Sequence, residues 1–572
     1  MALSKALTAL LLAENVLSSP ISGAYNARAS SLDWKPCDLK FSSAQQAVID
    51  AHEVPLYCSN LKVPLDYTDE KSGATLDLQL IQVKASKEPV KGSIIMNPGG
   101  PGASGIEEIS SNGPMYREVF GGQWNVIGFD ARGTGRTIPF ACDPVNETTS
   151  SLVRRAQNFT IPQNDMYDVL TTKAWDSAAL YVEACAETKG NKDIASVIST
   201  PFVVRDMVNI VDALGEDGLL RFWGRSYSTV VGQTFAAMFP ERVGRIMLDS
   251  VVRFEEYYSS TWASSTRDTE VAVLSFFKAC VQAGPTLCPI ANFTGPNTTP
   301  ESLNLELADI LQELIDNPEI GETEIKLPTQ EWWQPGTPLY QTIKMLYLSQ
   351  SYRPDQFPAL WTFSDAIFKR DWEGIITTLK APAAGAKPSN STDQGSSNTT
   401  AEMDLPWHLG LNALHGISCS DTARRAEKPE DMYSLLQSQR AQGSWADVLG
   451  PQTWVCPQWP FAPKEIFNGP FIDLKTKNPI LLINGAFDPI TPLSGAWDAS
   501  ANLPGSRLLV HNGHGHGVMN HPSNCTIKAI HDYFNDGTLP EVGAKCEPNQ
   551  PAVELAVEAA EAAVAAGPAI PE

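Results

Sequence analysis

Short, almost wholly apolar segments alternate with amphipathic segments along this chain, and this alternation is the strongest constraint on its fold. Three of the apolar segments are Gly92–Asn97, Trp124–Asp130 and Pro479–Asn484. Their length and flanking turns are typical of strands that are buried on both faces of a parallel sheet. Leu219–Trp223 and Arg245–Asp249 are two further candidates. Because helical periodicity fills the stretches between them, the sequence predicts an α/β fold with a mostly parallel central sheet.

The domain organisation follows from where this alternation stops. Residues 254–470 show helical periodicity without a series of parallel strands, which predicts an inserted, mostly helical cap domain. Inside it, 381–402 is rich in Ala, Pro, Ser, Asn and Thr and is predicted to be a disordered surface loop. We assign 25–253 and 471–547 to the two parts of the α/β core. The Ala/Glu-rich tail, 548–572, receives no function.

The N-terminus and the cysteines together predict a secreted protein. The apolar run Ala6–Ala13 is too short to span a bilayer but suits a signal peptide over residues 1–24. The ten cysteines have spacings that suit local disulfides, although spacing does not fix connectivity. The plausible pairs are Cys37–Cys58, Cys142–Cys185, Cys280–Cys288, Cys419–Cys456 and Cys525–Cys546. N-glycosylation sequons occur at Asn146, Asn158, Asn292, Asn297, Asn390, Asn398 and Asn524. No later stretch is long and apolar enough to predict a membrane anchor.

The charge balance argues against two kinds of partner, nucleic acids and anionic membranes. The chain has a formal net charge of −23. Nucleic-acid binding requires a basic surface to contact the phosphates, and nothing in this composition supplies it. We therefore expect no nucleic-acid partner and no attachment to an anionic membrane.

One serine lies in a sequence context typical of a catalytic nucleophile. Gly224-Arg-Ser226-Tyr-Ser228 stands between a predicted strand and a helical run, which is the arrangement of a nucleophile elbow. In such an elbow the turn is strained, and small residues two before and two after the serine make room for the backbone. Ser228 replaces the glycine that is usual at the second position. We expect this departure to affect efficiency more than the class of reaction, and we predict Ser226 as the nucleophile.

A nucleophilic serine needs a base, and the base needs an acid that orients it. Asp488 follows a predicted strand, and His516 follows the apolar run Leu508–Val510. The resulting chain order of Ser, Asp and His is the order found in α/β-hydrolases. We therefore predict Asp488 as the acid and His516 as the base. His516 is preferred over its neighbours because its Gly-His-Gly-Val context is expected to open the last helix of the core.

Other residues compete for these roles. Asp130 and Asp249 also end predicted strands and are the alternatives for the acid, since an aspartate after a strand is often only a turn residue. His511, His514 and His521 are the alternatives for the base. These histidines could instead form a metal site, but no carboxylate or thiolate accompanies them at ligand spacing, so we predict no metal.

Acyl transfer also needs hydrogen-bond donors for the oxyanion. The glycine-rich segment 97–105 follows an early strand, where α/β-hydrolases carry the second donor. We assign Gly99 or Gly100 to this role, with the backbone N–H of Tyr227 as the partner donor. The same segment contains a GxGxxG pattern, which is also typical of dinucleotide binding. That interpretation leaves the serine, aspartate and histidine motifs unexplained, so no cofactor is expected.

In combination, these motifs resemble the tripeptidyl-aminopeptidase-like (TAP-like) branch of the α/β-hydrolases, which is related to prolyl aminopeptidases. The resemblance rests on segments 97–105, 130–135, 224–228 and 239–243 and on the motifs around Asp488 and His516. It implies an α/β-hydrolase fold and a secreted exopeptidase that removes short peptides, often tripeptides, from free N-termini. It also implies Ser226, Asp488 and His516 as a catalytic triad, with Gly100 and Tyr227 forming the oxyanion hole.

An aminopeptidase must also bind a protonated amine, which calls for carboxylates in or under the cap. Glu255, Glu256 and Asp421 are candidates by position, and a solvated surface role is the alternative for each. The expected partner is a peptide or a small-molecule acyl substrate. An esterase, lactonase or acyltransferase with the same triad is the nearest alternative function. A binding glycoprotein that has lost the chemistry is the third.

Overall fold

In a computed structural model of the 572-residue chain, the described residues are 32–69, 71–143, 160–321, 338–375 and 410–566. The predicted signal peptide (1–24) and the predicted disordered loop (381–402) lie outside them. So do the sequons at Asn146, Asn158, Asn390 and Asn398.

The strands of the described residues form one ten-stranded sheet in the order β1-β2-β3-β5-β4-β6-β7-β8-β9-β10. They are β1 (Lys35–Pro36), β2 (Leu56–Pro64), β3 (Thr75–Val83), β4 (Gly92–Asn97), β5 (Trp124–Phe129), β6 (Leu220–Arg225), β7 (Val243–Asp249), β8 (Leu481–Phe487), β9 (Arg507–His514) and β10 (Lys545–Cys546). All pairs from β5 across to β10 are parallel. This arrangement confirms the predicted mostly parallel sheet, and all five predicted apolar segments form strands.

The other side of the sheet is antiparallel and was not predicted. β1 pairs with β2, β2 with β3, and β3 with β5, each in antiparallel orientation. In β3, Leu76, Leu78 and Leu80 are buried whereas Thr75 and Asp77 are exposed. This alternation is typical of a strand with one face towards the core and one towards water.

Helices cover both faces of the sheet and make up the cap. They are α1 (Ser43–His52), α2 (Gly105–Val119), α3 (Met166–Val169), α4 (Trp175–Glu187), α5 (Asn191–Ala195), α6 (Thr200–Leu214), α7 (Tyr227–Met238), α8 (Phe254–Tyr258), α9 (Thr269–Ala283), α10 (Pro300–Asp316), α11 (Leu339–Gln350), α12 (Phe357–Phe368), α13 (Gly410–Asp421), α14 (Tyr433–Arg440), α15 (Gly450–Val455), α16 (Leu493–Ala501), α17 (Asn524–Asp536) and α18 (Ala552–Ala566). Buried residues of α6, α7 and α16 pack in one apolar cluster with the sheet, and those of α2 and α17 pack in another. Successive residues of β4 divide between the clusters, since Ile95 belongs to the first and Ile94 to the second. The sheet is therefore buried on both faces.

The cap has an apolar cluster of its own. It is formed mainly by α9, α10, α11 and α12, and the described residues of 254–470 contain no strand. Helix α18, from the predicted tail, adds the buried side chains of Ala552 and Ala556 to this cluster. The tail helix thus packs against the cap.

The cysteines pair as their spacing suggested. The structure contains the disulfides Cys37–Cys58, Cys142–Cys185, Cys280–Cys288, Cys419–Cys456 and Cys525–Cys546. Asn292, Asn297 and Asn524, the sequon asparagines among the described residues, are exposed. Within the described parts of the chain, no helix has the length and apolar character needed to cross a membrane.

A fully buried ion pair ties α6 to the end of β5. The Arg132 Nε and Nη2 atoms donate to the two carboxylate oxygens of Asp206 at 2.6 and 2.8 Å. Asp206 also accepts the Tyr67 hydroxyl at 2.6 Å, and Arg132 donates to the Leu65 carbonyl oxygen at 2.6 Å. Both side chains of the ion pair are inaccessible to water. Because each charged group has several hydrogen-bond partners, these contacts compensate for the hydration that the ion pair loses on burial.

We expect Asp206→Asn to lower the free energy of unfolding by about 3–5 kcal/mol, because the substitution leaves the buried Arg132 guanidinium without its counter-charge. Urea unfolding followed by circular dichroism measures this loss. Asp77→Asn is the matched control, since Asp77 pairs with Lys62 on the surface, where ion pairs contribute little. Equal effects of the two substitutions would contradict a special role for the buried pair.

Candidate active site

Ser226 occupies the sharp turn between β6 and α7. Its φ is 58°, in the left-handed region that residues other than glycine rarely adopt. Its backbone N–H donates to the Asp249 carbonyl oxygen at 3.0 Å, and its own carbonyl accepts the Thr229 N–H at 2.8 Å. A serine held in a strained strand-to-helix turn has the geometry of a nucleophile elbow.

The close packing around this turn explains the small residues in the motif. A Cβ atom at Gly224 would lie 2.4 Å from the Ser228 carbonyl oxygen. At Gly99, in the neighbouring loop, a Cβ atom would lie 2.5 Å from the Arg225 carbonyl oxygen. Both distances are far below a normal contact, so each position requires glycine.

His516 and Asp488 form a buried pair at the same edge of the sheet. The Nδ1 atom of His516 lies 3.1 and 3.0 Å from the two carboxylate oxygens of Asp488. Asp488 also accepts the backbone N–H of Thr491 at 2.9 Å and the Thr491 hydroxyl at 2.7 Å. Burial raises the pKa of Asp488, but His516 and these hydrogen bonds outweigh burial and hold that pKa below its ordinary value. The carboxylate is therefore ionised and oriented towards the imidazole.

The loop that carries His516 is fixed through its backbone. The N–H groups of Gly517 and Val518 donate to the Ser250 hydroxyl at 2.8 Å and to the Asp249 carboxylate at 3.2 Å. The N–H of His516 donates to the Tyr352 carbonyl oxygen in the cap at 2.9 Å. The Tyr352 ring also packs edge-on against the imidazole, with 4.8 Å between ring centroids. Core and cap therefore both hold the histidine loop.

The predicted oxyanion donors lie beside Ser226, and the geometry distinguishes Gly99 from Gly100. The Gly99 N–H donates to the Asn97 side-chain oxygen at 3.1 Å, so it is committed within the protein. Gly100 instead lines the cavity next to Ser226 and Tyr227. Of the two predicted glycines, Gly100 is the better candidate.

A cavity of about 300 Å³ opens above Ser226 between core and cap. Its volume is at the lower end of the range of small-molecule sites. The cap side is largely apolar and includes Trp262, Met345, Leu348, Leu411, Leu414 and Val448. Among the described lining residues, the charged ones are Arg253 and Arg353. Each is paired outside the cavity, Arg253 with Asp498 and Arg353 with Asp355, both at 2.6 Å.

The alternative acids have other contacts. Asp249 accepts the Val518 N–H and, at 3.2 Å, the Trp223 indole N–H. Asp130 accepts the Ser104 hydroxyl at 2.7 Å, under the glycine-rich loop. Burial raises the pKa of both carboxyls to about 6. Neither makes the hydrogen bond to His516 that Asp488 makes.

The alternative histidines lie in a separate group, in which His511 and His521 are buried and His514 is half-buried. His511 contacts the Thr526 hydroxyl at 3.0 Å, and His521 accepts the His514 backbone N–H at 3.1 Å. The imidazole of His514 stacks on the Phe487 ring, with 4.4 Å between centroids. Among the described residues, no group of three or more His, Cys, Asp or Glu side chains is arranged to hold a metal ion.

The expected local structure around His516 was wrong. His516 lies in a loop after β9, and the last core helix begins only at Asn524. Gly515 and Gly517 have φ angles of 101° and 102°, which are incompatible with a right-handed helix. The helix starts instead at its N-cap, where the Ser523 side chain accepts the Thr526 N–H.

The three predicted amine-binding carboxylates do not line the cavity. Asp421 is fully buried and accepts the Thr200 hydroxyl at 2.6 Å and the Tyr257 hydroxyl at 2.7 Å. Burial raises the pKa of Asp421 to about 6. Glu255 and Glu256 line a separate open surface cavity on the other side of Arg253.

Sequence reasoning missed the residues that support the triad candidates. Thr491 was detectable, since a turn-forming aspartate often accepts the backbone N–H groups of the residues that follow it. Tyr352 and Ser250 had no such signal, because they meet the histidine loop only in the folded chain.

Comparison with known proteins gives two family matches. Residues 92–279 match the alpha/beta hydrolase fold, and residues 442–546 match the TAP-like protein family. The chain is 24% identical to a tripeptidyl aminopeptidase of Streptomyces coelicolor, over 92% of this chain and 88% of that protein. It is 25% identical to the serine protease Hip1 of Mycobacterium bovis, over 90% of this chain and 91% of the relative. A carboxylesterase B of Mycobacterium tuberculosis is 24% identical, over 89% of this chain and 90% of the relative.

These matches confirm two predictions made from the motifs, the α/β-hydrolase fold and the resemblance to TAP-like proteins. They support a serine hydrolase of the peptidase type.

The choice of acid is testable by comparing two aspartates. We expect Asp488→Asn to lower kcat by roughly 10³–10⁴-fold, because an asparagine favours the wrong imidazole tautomer. Asp249→Asn keeps one of the two acceptor oxygens that bond the Val518 N–H and the Trp223 indole N–H, so its loss of kcat should be below about tenfold. Both are measured as kcat on an ester reporter. A larger loss of kcat in Asp249→Asn than in Asp488→Asn would contradict the assignment of Asp488 as the acid.

Two of the alternative histidines, buried His511 and half-buried His514, predict a pH-dependent stability. Burial, reinforced by His521, lowers the pKa of His511 to about 4 and that of His514 to about 3. The unfolded chain takes up these protons near pH 6.5, so this contribution to stability is lost as the pH falls below that value. Between pH 7 and pH 4, we expect the free energy of unfolding of His514→Asn to fall by at least about 1 kcal/mol less than that of the wild type. Urea titrations at several pH values measure it, with the exposed His52→Asn as control. An unchanged pH profile in His514→Asn would contradict this explanation.

Proposed function

We propose that this TAP-like α/β-hydrolase is a secreted serine exopeptidase that releases short peptides, tripeptides among them, from free N-termini. Ser226 is the nucleophile, His516 the base and Asp488 the orienting acid. The observation that carries the proposal is the oriented His516–Asp488 pair at the same sheet edge as the strained Ser226 turn. Relatives named as a tripeptidyl aminopeptidase and a serine protease, aligned over about nine-tenths of the chain, support a peptide substrate.

The first half of the reaction forms an acyl-enzyme. The Ser226 Oγ attacks the scissile carbonyl carbon while His516 takes the hydroxyl proton. Asp488 accepts a hydrogen bond from the Nδ1–H group of His516, and this keeps the His516 Nε2 atom available as the proton acceptor. The backbone N–H groups of Gly100 and Tyr227 stabilise the oxyanion. His516 then gives its proton to the leaving amine, and the N-terminal peptide stays on Ser226 as an ester.

The second half releases the peptide. Water enters after the leaving chain departs, and His516 takes one of its protons as the water oxygen attacks the ester carbonyl. Collapse of the tetrahedral intermediate returns that proton to Ser226 Oγ. The products are a short peptide with a free carboxylate and a regenerated serine. No group outside the chain and water is needed to balance the two steps.

The apolar cap wall supports an acyl group with apolar side chains. Leu348, Leu411 and Leu414 face the cavity that contains Ser226, and burial of an apolar side chain against them contributes about 25 cal/mol per Å². We therefore expect apolar residues to be preferred next to the scissile bond.

Secretion is supported by the covalent structure. The structure contains five disulfides, and disulfides of this kind persist in oxidising compartments. The exposed sequons at Asn292, Asn297 and Asn524 are accessible to glycosylation.

One observation favours a second candidate, a small-molecule esterase with the same triad. None of the described residues that line the cavity is a carboxylate, although a protonated amine needs one. The three predicted carboxylates lie elsewhere, and one relative of similar coverage is named a carboxylesterase. Recognition of the free amine is therefore the property that separates the two functions.

The test compares three reporters: a free-amine tripeptide, its N-acetylated twin and a simple ester. For the exopeptidase we expect kcat/KM for the free-amine reporter to exceed that for its twin by at least about tenfold, because only it carries the recognised charge. Ser226→Ala should lower turnover of every accepted reporter by at least about 10³-fold. Turnover of the ester alone would support the esterase, and turnover of none would refute both functions.

A further inference from the structure

Ser228, the residue that departs from the usual elbow glycine, has a specific partner. Its hydroxyl donates a hydrogen bond to the side-chain oxygen of Asn97. Ser228 lies in the first turn of α7 and is inaccessible to water, whereas Asn97 is the last residue of β4 and is 4% exposed. A buried hydroxyl with a good acceptor contributes to stability instead of costing it. The serine is therefore more than a tolerated substitute for glycine.

The same Asn97 oxygen accepts a second hydrogen bond, from the backbone N–H of Gly99 at 3.1 Å. The Asn97 amide nitrogen donates to the Phe129 carbonyl oxygen at 3.3 Å, which fixes the orientation of the amide group. One oxygen thus joins the first turn of the nucleophile helix to the loop after β4. An amide oxygen has two lone pairs, and these two donors use both.

The loop joined in this way is the one that carries the candidate oxyanion donor. Gly99 and Gly100 have φ angles of 103° and 100°, which only glycine adopts readily. Gly99 packs against the elbow backbone, since a Cβ atom there would meet the Arg225 carbonyl oxygen and, at 3.0 Å, the Tyr227 nitrogen. Gly100 is the next residue and lines the cavity beside Ser226. A displacement of Gly99 therefore displaces the N–H of Gly100.

We propose that Ser228 is a positioning residue for the oxyanion hole, acting through Asn97 to hold the Gly99–Gly100 backbone in register with Ser226. The role of Gly100 in this inference rests on the proposed function. The nucleophile and both oxyanion donors then belong to one hydrogen-bonded unit, because Tyr227 and Ser228 are consecutive residues of α7. If Ser228 were replaced by the glycine that is usual in such elbows, the Asn97 oxygen would have one donor fewer and the loop would be less restrained.

Oxyanion donors act on the transition state and not on the bound substrate, so a loosened loop lowers kcat and leaves KM unchanged. Removing a donor altogether costs about 10²–10³-fold in kcat. Ser228 acts on the oxyanion hole through Asn97, so the loss of its hydrogen bond should lower kcat by about five- to thirty-fold.

The experiment compares Ser228→Gly and Ser228→Ala with the wild type and with Ser110→Ala. Ser110 is a matched control because it is equally buried and its hydrogen bonds, to the Glu107 carbonyl oxygen and from the Gln45 side chain, involve neither Asn97 nor Gly99. Two quantities are measured: kcat and KM on the best of the three reporters, and hydrogen–deuterium exchange of the segment 97–105. Circular dichroism at the assay temperature verifies that each variant is folded.

We expect both Ser228 variants to lose five- to thirty-fold in kcat with KM within twofold of the wild type, and to exchange faster over 97–105. Ser110→Ala should change neither quantity. Unchanged exchange in the Ser228 variants would overturn the coupling whatever the activity. Faster exchange with unchanged kcat would overturn the catalytic part of the inference. A wild type that turns over no reporter would refute the proposed function and the Gly100 role with it, whereas exchange still tests the coupling to the loop.

Discussion

The left-handed backbone of Ser226 is the constraint on which the rest of the site depends. Holding a non-glycine residue in this region of φ costs about 1–3 kcal/mol of conformational free energy, which contacts with the surrounding structure must offset. The N–H of Ser226 is bonded to β7 and its carbonyl to α7, so sheet and helix both hold the turn. The sharp turn also presses its backbone against neighbouring loops. Gly224 and Gly99 have no room for a side chain for this reason.

Much of the fold could be predicted from local patterns, because strands buried on both faces are continuous apolar runs. The segment Gly92–Asn97 forms β4 with its predicted bounds. The alternation in β3 was an equally physical signal that was not used. β1 and β10 are two residues long, too short to show any periodicity. Their pairing is determined by the folded neighbours and not by their own sequence.

The candidate site divides in the same way. Ser226, Asp488 and His516 were detectable because each stands next to a strand in a distinctive local motif. The contacts of the histidine loop were not, since the acceptor in Tyr352 is a backbone carbonyl that any residue would provide. The positions of the amine-binding candidates relative to the cavity could not be predicted for a related reason. Position in the chain does not show whether a carboxylate such as Asp421 faces a cavity or accepts hydrogen bonds from buried hydroxyl groups.

The loop that carries His516 is held by contacts from both the core and the cap. The Asp488 pair and the backbone contacts of Gly517 and Val518 all come from the core. From the cap, the Tyr352 carbonyl oxygen accepts the His516 N–H and the Asn520 side-chain amide, and the Tyr352 ring packs against the imidazole. The Thr269 hydroxyl of the cap also donates to the Pro489 carbonyl oxygen beside Asp488. The hydrogen bonds between Asp488 and His516 are made by core residues, whereas the cap supplies most of the cavity wall. A substitution in the apolar cap wall can therefore change the shape of the cavity without removing the Asp488–His516 pair.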